Sequence, residues 1–78
     1  MSIPEVVREI ITRNRSIYDC MKMDLINYTA LAVKLQPEIE KILGNSVNLN
    51  TVVVAIKRYA DSFEIKEEMH EEPVLKNA

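Results

Sequence analysis

Glycine occurs once in these 78 residues, cysteine once, histidine once and tryptophan not at all. Each scarcity excludes something. A single thiol, Cys20, rules out an internal disulfide. A structural zinc takes about four ligands from cysteine, histidine or carboxylate, and Cys20 and His70 are the only soft ones. No apolar run approaches the roughly 18 residues of a membrane span. The start, Met1-Ser2-Ile3-Pro4-Glu5, has no basic region followed by an apolar stretch, so it is not a signal peptide. The expected compartment is the cytoplasm, where a lone reduced thiol is at home.

Strong basicity is also lacking. The net charge is −2 and it is unevenly spread. Residues 1–63 hold eight basic against seven acidic side chains, and residues 64–78 hold two against five. The chain therefore reads as a near-neutral helical domain over 1–63 with an acidic extension over 64–78. Nucleic-acid binding usually leaves a high pI, so charge alone does not require it. A chain this short leaves about 40% of its unfolded surface exposed, and its margin of stability is small. Without a disulfide or metal, self-association is the expected reinforcement.

What is present reads as helix. Ser2 and Glu5 have the spacing of a capping box, with Pro4 suited to the first turn. Val6, Val7, Ile10 and Ile11 then recur at helical spacing, which predicts a helix over Pro4–Asn14. Ser16 is the expected N-cap of a short helix, Ile17–Met23, with Ile17, Cys20, Met21 and Leu25 as its apolar face. Asn27 is the expected cap of a third helix, with Ile26 stapled onto Leu31. Leu31, Ala32 and Leu35 mark its buried side. Pro37 either kinks that helix or opens a separate one over Pro37–Leu43, and Gly44-Asn45 is a stop.

Asn48 or Asn50 caps the fourth helix. Val52-Val53-Val54 has strand propensity. Against it, Val52, Ile56, Tyr59, Ala60 and Phe63 recur at helical spacing, which favours helix. Residues 64–72 can extend that helix, with Pro73 expected to end it and a loose terminus to follow. The fold expected is all-α: a compact bundle of about four helices with an acidic C-terminal extension.

Catalysis is the class least supported. His70 lies fifty residues from Cys20, and paired glutamates such as Glu67-Glu68 are hydrated rather than tuned. No catalytic residue, cofactor or metal is expected; Glu67, His70 and Glu71 are too few and too loosely held to be a metal site. Cys20 reads as a small core residue, and Tyr28 and Tyr59 as packing residues with hydroxyls reaching the surface. Lys57 and Arg58 read as a solvated face, with Asp61 as the expected partner of Lys57.

Ser16-Ile17, then Ile26-Asn27-Tyr28-Thr29-Ala30-Leu31-Ala32 with Leu35, then Val54-Ala55-Ile56 with Arg58-Tyr59, resemble a small helical domain of archaeal proteins of unknown function. In longer members that domain resembles a leader before an ACT-like regulatory domain. The resemblance covers Ser16 to Tyr59 and carries no established activity with it. This chain departs from those members by stopping at Ala78, and is expected to be a short member or a fragment. The same residues resemble a helix-turn-helix in general form. Leu31-Ala32 with Leu35 looks like the positioning helix, and Thr51 to Arg58 like the recognition helix. That likeness implies groove contacts by Asn50, Thr51, Lys57 and Arg58. The stretch from Leu35 to Asn48 is far longer than the usual turn of about three to four residues.

Two functions follow as expectations. The first is a small intracellular protein-interaction or regulatory module that self-associates as a homodimer, through Val6, Val7, Ile10, Ile65 and Met69, with a further protein partner possible. The second is a helix-turn-helix DNA-binding regulator acting through Asn50, Thr51, Lys57 and Arg58. Neither involves a membrane.

Overall fold

The structure is a computed structural model, and it describes the backbone of residues 1–77 and the side chains of residues 1–63. It is all-α, with four helices in the order α1 (Ile3–Arg13), α2 (Arg15–Lys22), α3 (Tyr28–Leu43) and α4 (Leu49–Asn77).

The caps explain the starts. Before α1, the Ser2 backbone N–H donates to Glu5 Oε1 at 3.0 Å and the Glu5 N–H donates to Ser2 Oγ at 3.4 Å. That is the reciprocal box, and it satisfies two backbone donors that a helix start leaves unpaired. At α3, Asn27 Oδ1 accepts from the Ala30 N–H at 3.0 Å. Half-buried Ile26 packs on the core just before it. At α4, Asn48 Oδ1 accepts from the N–H groups of Asn50 at 2.8 Å and Thr51 at 3.3 Å. Asn48, not Asn50, is therefore the cap.

Three local expectations need correction. Ser16 does not cap α2; Asn14 stands at that position, and the helix starts at Arg15. Asn14 closes α1 as well, where its side-chain amide donates to the Ile10 carbonyl at 2.7 Å. Leu25 is not on the apolar face of α2. The chain leaves the helix at Met23 and turns at Asp24, whose φ is +59°, leaving Leu25 65% exposed. Aspartate tolerates the left-handed region better than bulky residues do. Pro73 does not end α4, which runs on to Asn77. A proline removes one hydrogen bond from a helix and disfavours helical dihedrals at the residue before it, a cost that need not stop the helix.

Pro37 is likewise internal to one unbroken helix. It is exposed, and Val33, four residues earlier, is exposed too. Water can reach the Val33 carbonyl that lacks a proline N–H to accept from, which lowers the cost of the interruption. Gly44 then ends α3 at φ +81°, with its N–H donating to the Glu40 carbonyl at 2.8 Å. The five residues from Gly44 to Asn48 are tied back to α3. Gln36 Nε2 donates to the Val47 carbonyl, and Val47 N–H donates to Glu40 Oε2, both at 3.0 Å.

α4 is the central element. α1 and α3 both lie along it and touch each other, and α2 packs on α1 and α4. The core is Val6, Val7, Ile10 and Ile11 of α1, Met21 of α2, Leu31, Ala32, Leu35 and Ile39 of α3, and Val52, Ala55, Ile56 and Ala60 of α4. Val52 is buried, Val53 half-buried and Val54 41% exposed. That rotation is a helix, so packing against α1 and α3 overrides the strand preference of three consecutive valines. Every buried residue among those described is apolar. Any polar recognition by the described residues is therefore on the surface.

Candidate interaction surface

The residues expected to pair two copies divide. Val6, Val7 and Ile10 are fully buried in the chain's own core. This corrects their assignment to an intermolecular surface: α4 and α3 already cover that face of α1. Ile65 and Met69 lie beyond the described side chains.

The residues of the DNA-binding expectation stay together. Asn50, Thr51, Lys57 and Arg58 are all exposed, whereas Val52, Ala55 and Ile56 of the same helix are buried. Val54 and Asp61 are exposed too. Lys57 does not pair with Asp61. The ion pair found among the described residues is Arg15 Nε to Asp19 Oδ1 at 3.2 Å, one helical turn apart on an exposed surface. The geometry before α4 departs from a tight helix-turn-helix. The expected positioning segment ends at Leu35, and α3 continues eight residues beyond it, about 12 Å. Residues 37–43 are therefore not a separate helix but the second half of α3.

A different surface emerges where α1, α2 and α4 meet. Tyr18 of α2 and Tyr59 and Phe63 of α4 form an aromatic cluster. Phe63 is edge-on to Tyr18, with ring centroids 5.2 Å apart, and tilted against Tyr59 at 4.7 Å. Such geometries place ring edges against ring faces and add roughly 0.5–1.5 kcal/mol per pair beyond area burial. The Thr12 hydroxyl donates to the Arg8 carbonyl at 2.6 Å, so its contact with the Tyr59 hydroxyl, at 3.2 Å, has Tyr59 as donor. Ser62 Oγ donates to the Tyr59 carbonyl at 2.6 Å. The rings are thus held, yet all three remain half-exposed.

Beside this cluster lies an open groove of about 400 Å³, lined by Pro4, Arg8, Tyr18, Ala55, Arg58, Tyr59, Ser62 and Phe63. Arg8 and Arg58 are exposed and make no ion pair with any described residue. Two further cations sit over the Tyr18 ring, Arg15 at 5.7 Å and Lys22 at 5.8 Å from the centroid. Such contacts contribute roughly 0.5–1 kcal/mol at exposed sites. A groove with an aromatic floor and guanidinium rims suits a ligand that is apolar on one side and anionic on the other.

Sequence reasoning missed this groove. Tyr59 and Arg58 read as separate features in the sequence, and no local spacing joins them to Arg8, Tyr18 or Phe63. Tyr18 and Phe63 are 45 positions apart, and no local spacing links them. The available signal was compositional: the sole phenylalanine and two of the three tyrosines fall near basic residues.

Cys20 is half-buried and lies outside the core cluster, which corrects its expected place as a core residue. Among the described residues, no cluster of three or more histidine, cysteine or carboxylate side chains is placed to hold a metal. Nor is any helix, over the same residues, long and apolar enough to cross a membrane. Comparison with family models, curated proteins and solved structures finds no match to this chain.

Proposed function

We propose that this chain is a small interaction module of the cytoplasm, one that self-associates and docks protein surface in the groove between α1, α2 and α4. The observation that carries the reading is the convergence of half-exposed Tyr18, Tyr59 and Phe63 with Arg8 and Arg58. Aromatic and arginine residues are enriched where protein surfaces bind each other tightly. The arginines have no ion-pair partner among the described residues, so a partner's carboxylates meet unspent charge. The resemblance to a domain placed before an ACT-like sensor fits a regulatory setting for such a module. The reading assigns it no chemical step. Sedimentation velocity from low to high micromolar concentration tests it. A species near twice the chain mass supports self-association, and a single-chain mass throughout the range refutes it.

A second reading is favoured by one observation. Asn50, Thr51, Lys57 and Arg58 are all exposed on α4, as a DNA-recognition helix requires. It predicts binding to duplex DNA that falls steeply with salt, because each neutralised phosphate releases counterions. Anisotropy of mixed duplex DNA at two salt concentrations decides. Loss of binding in Lys57→Ala/Arg58→Ala supports the regulator, and absence of binding at low salt removes it.

A further inference from the structure

We propose that the groove receives the acidic end of α4 from a second copy of this chain, with the two α4 helices antiparallel about a two-fold axis. The inference rests on the self-association reading and names its surface and occupant. Three observations carry it.

The first is charge. Arg8 and Arg58 line the groove, with Lys22 and the Asp19-paired Arg15 over the adjoining Tyr18 ring. Residues 64–78 hold five glutamates against two lysines. The chain thus has a cationic groove and an acidic segment that complement each other.

The second is placement. The α4 wall of the groove is Ala55 to Phe63, and the acidic segment begins at the next residue of the same helix. A helix carries its continuation away from its own preceding turns, so the occupant comes from another copy. A two-fold axis near Phe63 and Glu64 lays residues 64–72 of each chain antiparallel to residues 55–63 of the other. Both stretches are nine residues long, about 13 Å of helix each. The same patch is used twice and the contact closes, as a two-fold interface requires.

The third is pattern. Ile65, Glu68, Met69 and Glu72 recur three and four apart in sequence. That spacing combines two apolar residues with two carboxylates on one register of a helix. The groove offers aromatic rings and guanidinium groups. Thioether–aromatic contact suits Met69, and paired N–H donors suit the glutamates.

The test uses a fluorescein-labelled peptide of residues 64–78 titrated with the full chain and followed by anisotropy at low salt. The expected result is saturable binding that weakens at least tenfold in Arg8→Glu/Arg58→Glu. A peptide with Glu67, Glu68, Glu71 and Glu72 replaced by lysine is expected to bind the double variant better than it binds the wild type. Arg8 and Arg58 are exposed, so the double variant is expected to fold, with circular dichroism as the check. No binding to the wild-type chain, or binding unchanged by the double variant, overturns the proposal. A dimer that persists in Arg8→Glu/Arg58→Glu overturns this interface while leaving self-association standing. A wild-type chain that stays monomeric removes both.

Discussion

Ile10 is where two accounts of α1 diverge most sharply. As a self-association residue it would contribute to a dimer and little to the folded monomer. In the structure it is fully buried in the monomer's own core. Ile10→Val deletes one methyl group and is expected to cost about 1 kcal/mol, the usual range being 0.5–1.5. In a domain of this size 1 kcal/mol lowers Tm by roughly 4–8 °C. Ile10→Ala is expected to cost about 2–5 kcal/mol. The core of so small a domain rarely supplies more than about 3–5 kcal/mol, so Ile10→Ala should be largely unfolded. Val54→Ala is the control. Val54 lies on the outer side of α4, 41% exposed, and its truncation should change stability by no more than about 0.5 kcal/mol. Thermal melts by circular dichroism at 222 nm, all at one dilute concentration, read the three variants. Fixing the concentration matters because association adds to apparent stability by mass action. An Ile10→Val protein that melts with the wild type, or an Ile10→Ala protein that stays folded, would refute the packing described.

Asn27→Ala removes the cap of α3 and should cost about 1 kcal/mol in urea titration, while Asn27→Ser should retain most of the stability. Gly44→Ala meets no atom within 4 Å of the added Cβ, but φ is +81°, so its cost is conformational and about 1–2 kcal/mol; Gly44→Asn should cost less. The Glu5 carboxyl is held below its ordinary value of 4.5, first by the Ser2 backbone N–H and then by the Ser2 hydroxyl. Its contribution to stability is therefore present above the ordinary value and is lost as pH falls through the lowered folded value. Glu5→Gln should remove that part of the acid sensitivity, and urea midpoints above and below this window for both proteins check it.

Signals confined to one or two turns were readable from the chain. Ser2 with Glu5, Ile26 before Asn27, and Gly44 each determine a helix end through neighbours three or four residues away. The position of Asn14 was less readable, because asparagine and serine are about equally good caps by type. Tertiary packing and the demand of the Ile10 carbonyl gave Asn14 the junction instead. The apolar stripe of Val6, Val7 and Ile10 was plain, but periodicity shows that a face is covered without showing by what. Here α4 and α3 of the same chain cover it. Leu25 failed for a similar reason: spacing extended the α2 stripe past the turn at Asp24, where the backbone leaves the helix. The aromatic groove depends on α1, α2 and α4 meeting, and Arg8, Tyr18 and Phe63 share no local pattern.

The most direct measurement is a dilution series of amide ¹⁵N–¹H spectra, from high to low micromolar concentration. The account predicts concentration-dependent shifts at Arg8, Tyr18, Arg58 and Phe63, together with residues 64–72. Spectra that do not change with dilution, or changes centred on the outer side of α3 at Ala30, Val33 and Lys34, would contradict it.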